Sequence, residues 1–200
     1  MDSCVVSIRS KTSRDGKKTA LILTVEKNGE RIKYTINEGT YRKIGCPLSG
    51  NILSSDDLEY LEERDAHARA TARALKILSY ADNSEASLKR KLIGAGFGRE
   101  LSQSVTEEMA AMGYINERDQ LDRAIISLAN RELLGRYRIT ARLVGRGYSA
   151  KSISERISAL SERGDIDFHK SFEQLKSKKL HDAETEEEKI KLLYRYGYRK

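Results

Sequence analysis

Tryptophan is absent from this chain of 200 residues, proline occurs once, cysteine twice and histidine three times. Two cysteines, Cys4 and Cys46, build neither a disulfide framework nor a thiolate metal cluster, and both are expected to be inert buried thiols. His67, His169 and His181 stand apart, with no Cys or His partner at metal-ligand spacing, and read as exposed helical histidines. Long apolar runs are missing too. Stretches such as Ala20–Val25 fall far short of the roughly 20 residues that a membrane-spanning helix needs. The N-terminal MDSCVVSIRS has no basic segment leading into an apolar one, so no secretion signal and a cytoplasmic location are expected. Hydrophobic residues make up 38% and charged residues 34%, against about 45–50% and 25% in ordinary globular chains. So polar a chain is expected to pack thinly, with much exposed surface.

Catalytic sets are equally scarce. Gly94-Ala-Gly-Phe-Gly98 follows a helical pattern rather than a strand and lacks the Lys-Ser/Thr ending of a phosphate loop, so it reads as helix termination. The acidic run Glu184-Thr-Glu-Glu-Glu188 suits a helix N-terminus, where negative charge is welcome, better than a metal site. No enzyme and no cofactor are expected.

What the chain has in abundance is positive charge. There are 37 Lys+Arg against 30 Asp+Glu, a net charge of +7. Residues 121–200 hold 18 basic and 12 acidic groups, so most of the excess lies there. A basic surface of this kind suits a polyanion such as nucleic acid.

The first 40 residues are β-rich. Asn28-Gly29 between Ala20–Glu26 and Arg31–Asn37 predicts a hairpin, because both central positions of a type I′ turn take positive φ. Ile32, Tyr34 and Ile36 share one face, and Arg9–Lys18 reads as a polar loop after a first short strand at Cys4–Arg9. The single proline, Pro47, sits in the Gly/Ser-rich connector Gly45–Ser55, the expected domain boundary. Helical patterning follows from Ser55 onward, with stops predicted at Gly94–Gly96, Gly113, Gly135, Gly145–Gly147 and Gly164 and a last helix over Ala183–Tyr196.

The helices repeat. Leu92–Phe97 aligns with Leu143–Tyr148 and Leu193–Tyr198, and Gly113, Ile115 and Leu121 align with Gly164, Ile166 and Phe172. A fixed offset near 50 residues signals tandem supersecondary units. Each unit reads as helix, short basic helix, Gly-aromatic turn and third helix, the glycine closing one helix and the aromatic filling the gap between two. The expected fold is therefore mainly α: tandem three-helix, helix-turn-helix-like repeats in an elongated curved array, preceded by a small antiparallel β-hairpin or sheet. The expected divisions are a β-rich extension over 1–50, repeat 1 over 55–115, repeat 2 over 116–166 and an incomplete repeat 3 over 167–200.

Basic side chains recur within these units. Arg131, Arg136, Arg138, Arg142, Arg146 and Lys151 face a single acid, Glu132, in residues 131–151, and Arg138, Arg142 and Arg146 fall on one helical stripe. Tyr137 and Tyr148 flank them with aromatic faces able to stack on a base. Lys89, Arg90 and Lys91 occupy the corresponding place in the first unit, and Lys189 and Lys191 in the third. Lys89, Arg90, Lys91, Arg131, Arg136, Tyr137, Arg138, Arg142, Arg146, Lys151, Lys189 and Lys191 are the candidate filament- or nucleic-acid-binding residues. The plain alternative is a solvated polar face.

The pattern Ala74-Leu-x-x-Leu78, Ser84-x-x-x-Leu88-x-x-Lys91-Leu92, Gly96-Phe97, Met112-Gly-Tyr-Ile115-Asn resembles the RecX family of bacterial recombinase regulators. The second unit repeats it with Gly135-x-x-Arg138-Ile139-x-x-Arg142-Leu143, Gly147-Tyr148 and Ile153. The third repeats it with Phe172-x-x-Leu175-x-x-Lys178-Lys179 and Leu193-x-x-x-Gly197-Tyr198. The resemblance implies a monomeric, non-catalytic regulator of recombination, DNA repair and the SOS response. Such a protein binds the RecA–single-stranded-DNA filament and limits its ATP hydrolysis, strand exchange and extension. It implies three three-helix repeats with a basic face. Two rival readings remain from the residues: a helix-turn-helix protein reading duplex DNA, with Gln103 the main base-reading candidate, or a helical adaptor for another protein.

Overall fold

A computed structural model describes residues 3–12, 18–180 and 185–198. The chain is mainly helical with a small antiparallel sheet at its N-terminus. It divides into two compact units: Met1–Lys76 with Leu92–Val105, and Ile77–Lys91 with Thr106–Lys200. Along the chain the division falls after Lys76, after Lys91 and after Val105.

In the first unit, β1 (Ser3–Thr12), β2 (Lys18–Lys27), β3 (Glu30–Ile36) and β4 (Ile52–Leu53) form a sheet in the order β3-β2-β1-β4. Asn28 and Gly29 turn the β2–β3 hairpin with φ of 54° and 79°, the geometry that Asn-Gly favours. The register pairs Leu23 with Tyr34 and Leu21 with Ile36. Every second side chain therefore enters one face, and Val5, Leu23, Val25, Tyr34 and Ile36 form a core with Ile44, Leu53, Leu58 and Leu61. The loop expected at Arg9–Lys18 is shorter than predicted: Arg9–Thr12 continue β1, Lys18 begins β2, and residues 13–17 lie outside the described residues.

Two small elements escape the sequence pattern. Helix α1 (Glu38–Lys43) is capped by Asn37, whose side chain accepts from the Thr40 N–H at 2.8 Å. The connector that follows carries β4, bonded to Ser3 and Cys4 of β1, and the N–H of Val5 donates to the Asn51 carbonyl at 2.9 Å. Helix α2 (Ser55–Tyr80) then starts where expected, with the Ser54 hydroxyl accepting from the Asp57 N–H.

Two side chains of α2 bind the sheet. Asp65 accepts the Thr35 N–H at 2.9 Å, and Glu62 accepts from Lys27 Nζ at 2.8 Å and from the Tyr34 hydroxyl at 3.2 Å. Burial, reinforced by the Glu62 carboxylate, pushes the Tyr34 phenol up to about 12. Lys27 holds the Glu62 carboxyl below its ordinary range.

Helices α3 (Glu85–Gly94) and α4 (Arg99–Ala111) follow, and both units take part of each. The second unit holds α5 (Glu117–Asn130), α6 (Arg136–Gly145), α7 (Ala150–Glu162), α8 (Phe168–Leu175), a π-helical turn (Lys176–Leu180) and α9 (Glu186–Tyr196). Leu121, Ile125, Leu128, Ile139, Leu143, Ile153, Ile157 and Leu160 recur at three- and four-residue spacing and form its core. Within it Arg156 forks onto Asp122, both bonds at 2.7 Å, and the Tyr148 hydroxyl donates to Gln120 at 2.9 Å.

The three Gly-aromatic pairs share one local geometry. Gly96, Gly147 and Gly197 have φ of 94°, 97° and 84°, and the N–H groups of Phe97, Tyr148 and Tyr198 reach back to the carbonyls of Leu92, Leu143 and Leu193. This left-handed closure satisfies the last helical carbonyls. Tyr148 is buried, and Tyr198 packs its ring 5.1 Å from that of Phe172.

One helix end departs from expectation. Helix α5 stops at Asn130, five residues before Gly135, because Leu133 turns the chain with a φ of 57° and the Leu134 N–H reaches the Leu128 carbonyl. Gly135 instead precedes α6, where its N–H donates to the Tyr196 carbonyl at 2.8 Å. A Cβ there would lie 2.6 Å from the Gly197 oxygen, so glycine is what lets α9 approach α6. Helix α8 widens into the π-helical turn, and α9 opens with a Thr185–Glu188 capping box. The start expected at Ala183, the acidic Glu184 and His181, read as an exposed helical histidine, lie outside the described residues.

Candidate functional site

Six cationic residues line a cavity of about 680 Å³ in the second unit. Arg131 enters from the α5–α6 turn, Arg138 and Arg142 from α6, Lys178 and Lys179 from the π-helical turn, and Arg195 from α9. Leu134, Leu175 and Tyr196 supply apolar wall, and Glu132 is the acid among the lining residues. Arg142 donates to the Glu132 carboxylate. Four guanidinium groups with two ammonium groups around an open space suit phosphate or carboxylate, since each guanidinium offers a planar fork of donors.

A second cavity, of about 560 Å³, gathers Arg90 and Lys91 of α3, Arg123 of α5 and Arg146, which follows α6. Its charges are more fully compensated. Arg123 pairs with Asp82 at 2.7 Å, which raises the Arg123 guanidinium above its ordinary value, and Lys91 donates to Asn83. The wall is tightly built: the Ser84 hydroxyl donates to the Arg146 carbonyl at 2.9 Å and accepts the Ser87 N–H. Burial, reinforced by the Glu117 and Asp82 carboxylates, pushes the Tyr148 phenol upward.

The expected Arg138-Arg142-Arg146 stripe is thus divided, because α6 ends at Gly145: the first two line one cavity and Arg146 the other. Arg136 lies with its guanidinium carbon 5.9 Å from the Phe168 ring centre, and Tyr137 is exposed beside it. Lys89 is half-buried on α3. Lys151, Lys189 and Lys191 line neither cavity; they pair along their own helices with Glu155, Glu186 and Glu187, as a solvated face does.

The cysteines differ from expectation. Both are free, Cys4 half-buried and Cys46 exposed with a φ of 49°, so the reading as buried thiols fails for Cys46. Among the described residues no group of three or more His, Cys, Asp or Glu is placed to hold a metal, and no helix is long and apolar enough to cross a membrane.

No family model matches the chain. Curated relatives do. The chain is 26% identical over 174 residues to the regulatory protein RecX of Clostridioides difficile (strain 630), covering 84% of this chain and 80% of that protein. It is 34% identical over 82 residues to the regulatory protein RecX of Pelodictyon phaeoclathratiforme, covering 41% of this chain and 51% of that one. In fold it is similar to a crystal structure of a regulatory protein RecX, with a TM-score of 0.71 over 98% of this chain and 95% of that chain at 14% identity. The chain is thus similar to RecX proteins in sequence and shares their fold.

Three cations of the first cavity were missed by sequence reasoning: Lys178, Lys179 and Arg195. The first two carried a signal. They stand three and four residues after the buried Leu175, which puts them over one face of the same helix. Arg195 carried none, because its place depends on the approach of α9 to α6. A RecX structure from Lactobacillus salivarius shares the fold over 66% of this chain and 86% of that one, with a TM-score of 0.52 at 15% identity.

Proposed function

We propose that this chain is a member of the RecX family and a non-catalytic regulator of homologous recombination and DNA repair. It binds the RecA–single-stranded-DNA filament in the cytoplasm and inhibits its ATPase, strand exchange and extension. The proteins it matches are named regulatory proteins, which supports regulation over catalysis. The observation that carries the contact is the convergence of basic side chains on α6 and its neighbours: cations from four segments meet in one cavity with a single acid. Arg136, Arg138, Arg142 and Arg146 are the residues proposed to meet the filament. Lys89, Arg90, Lys91, Arg131, Tyr137, Lys151, Lys189 and Lys191 belong to the wider basic surface.

The reading includes tandem helix-turn-helix-like units. The recurrence of one glycine-aromatic hydrogen bond at Gly96, Gly147 and Gly197 supports it.

The test is the single-strand-dependent ATPase of the cognate recombinase, titrated with the protein at several salt concentrations. Wild type inhibits. The variant with Arg136, Arg138, Arg142 and Arg146 all changed to Gln needs at least about tenfold more protein for the same inhibition and shows a shallower salt dependence, since each lost phosphate contact lowers the slope by about 1. Unchanged inhibition by a folded variant removes α6 from the contact. No inhibition by wild type removes the filament reading.

A further inference from the structure

We propose that the cavity between α6, the π-helical turn and α9 is a binding site for phosphate groups whose own carboxylate, Glu132, acts as a resident counter-ion. In the free protein Glu132 occupies Arg142; an incoming phosphate takes its place. The proposal rests on the reading of the α6 arginines as an anion-binding surface, but not on the recombinase as partner.

The first support is the composition of the wall. Arg131, Arg138, Arg142, Lys178, Lys179 and Arg195 bring six positive charges around about 680 Å³, a volume within the roughly 300–1,000 Å³ of pockets that take small ligands. Glu132 cancels one of them. Such a cluster repels itself, and an anion entering it relieves that repulsion. The guanidinium forks favour phosphate oxygens, and the apolar side chains of Leu134 and Leu175 add no competing acceptor.

The second support is how Glu132 gets there. The ion pairs of Lys151, Lys189 and Lys191 join residues three or four apart on one helix, whereas those of Arg123 with Asp82 and Arg156 with Asp122 join separate elements, as Arg142 and Glu132 do. Arg142 and Glu132 are ten residues apart, one on a helix and the other on a turn. The turn is held in a conformation that leucine rarely adopts: Leu133 has a φ of 57° while its side chain and that of Leu134 are buried. The backbone strain at Leu133 keeps the preceding carboxylate over the cations, and strain of this kind collects at binding sites. Glu132 then sets a threshold: a lone weak anion does not displace it, whereas a ligand with several linked phosphates does.

Both a nucleic-acid strand and a free polyphosphorylated compound present that chemistry. The full chain is titrated with fluorescein-labelled oligothymidylate and, separately, with inorganic tripolyphosphate, with circular dichroism confirming that each variant is folded. Lys178→Ala with Lys179→Ala weakens the bound probe, and both lysines are exposed, so packing is spared. Glu132→Gln tightens it by about two- to fivefold, the range that releasing an exposed ion pair supplies.

The decisive comparison places Glu132→Gln in an Arg142→Gln background. The gain disappears there, because no Arg142 remains to be released. A simple change of net charge gives instead the same gain in both backgrounds, and the same again for Glu162→Gln outside the cavity.

Tightening confined to oligothymidylate assigns the site to a strand's backbone, and tightening confined to tripolyphosphate assigns it to a free ligand. Equal gains in both backgrounds overturn the proposal. So does a Lys178/Lys179 variant that binds like wild type, or a wild type that binds neither probe. Recombinase inhibition without probe binding sinks the cavity and spares the regulatory reading; probe binding without inhibition does the reverse.

Discussion

The approach of α9 to α6 yields the sharpest stability prediction. A Cβ on Gly197 would lie 2.5 Å from both the backbone nitrogen and the Cβ of Arg138, atoms that cannot move without unwinding the start of α6. Gly197→Ala therefore carries two costs. The left-handed backbone, at a φ of 84°, costs about 1–2 kcal/mol for a residue with a Cβ. The clash adds about 1–3 kcal/mol, the usual range for overpacking.

The same closure at Gly96 separates the two costs, because a Cβ there meets nothing within 4 Å and only the backbone cost remains. Gly147 falls between them. Its Cβ would come 2.7 Å from the Ser84 hydroxyl, a side-chain atom, but one held by bonds to the Arg146 carbonyl and the Ser87 N–H. The expected order of destabilisation is Gly96→Ala, then Gly147→Ala, then Gly197→Ala. Urea unfolding measures the global loss, and amide exchange over Glu186–Tyr196 measures local release of α9. A Gly197→Ala protein that is no less stable than Gly96→Ala, with α9 equally protected, would refute the close-approach argument.

Four further outcomes follow from particular side chains. Tyr34 and Tyr198 hold their phenol protons up to about 12, above the ordinary 10.0. The folded state thus binds protons that the unfolded chain has released, so stability is full below pH 10 and falls as pH rises toward about 12; a flat unfolding midpoint across that window contradicts the burial argument. Tyr34→Phe also loses its bond to Glu62 and costs about 1 kcal/mol at neutral pH in urea unfolding. Tyr198→Phe is neutral or stabilising, since the Tyr198 hydroxyl is buried without a hydrogen-bond partner among the described residues. Arg156→Lys breaks the two-pronged contact with Asp122 and lowers stability by about 1–2 kcal/mol, whereas a loss under 0.5 kcal/mol would make the fork incidental.

Local chemistry made much of the fold legible. Asn28-Gly29, the Ser54 cap and the Gly-aromatic closures each act within a few residues, so their geometry is written in adjacent letters. What escaped depends on distant partners or on strain. Helix α1 is only six residues long and carries Gly39 in its first turn, a residue that weakens helix patterns, and β4 exists because Ser3 and Cys4 lie alongside it. The early end of α5 rests on a leucine in a left-handed conformation, which no propensity rule selects. The site divides the same way. Arg131, Arg138 and Arg142 stood out by density of charge, but the split of Arg146 from its stripe and the arrival of Arg195 are tertiary facts.

The bond from Asp65 to the Thr35 N–H has a consequence for how this chain keeps to itself. Strand β3 is an outer strand of the sheet, and such strands carry open backbone groups that invite a strand from another molecule. Asp65, with only 9% of its side chain exposed and its other oxygen held by Arg69 at 2.8 Å, fills one of those positions from helix α2. A foreign strand seeking that register meets a carboxylate already bonded to the amide it would need. One acidic side chain on a helix thereby defends the rim of the sheet against edge-to-edge aggregation, a task that the length and pleat of the strand alone would leave undone.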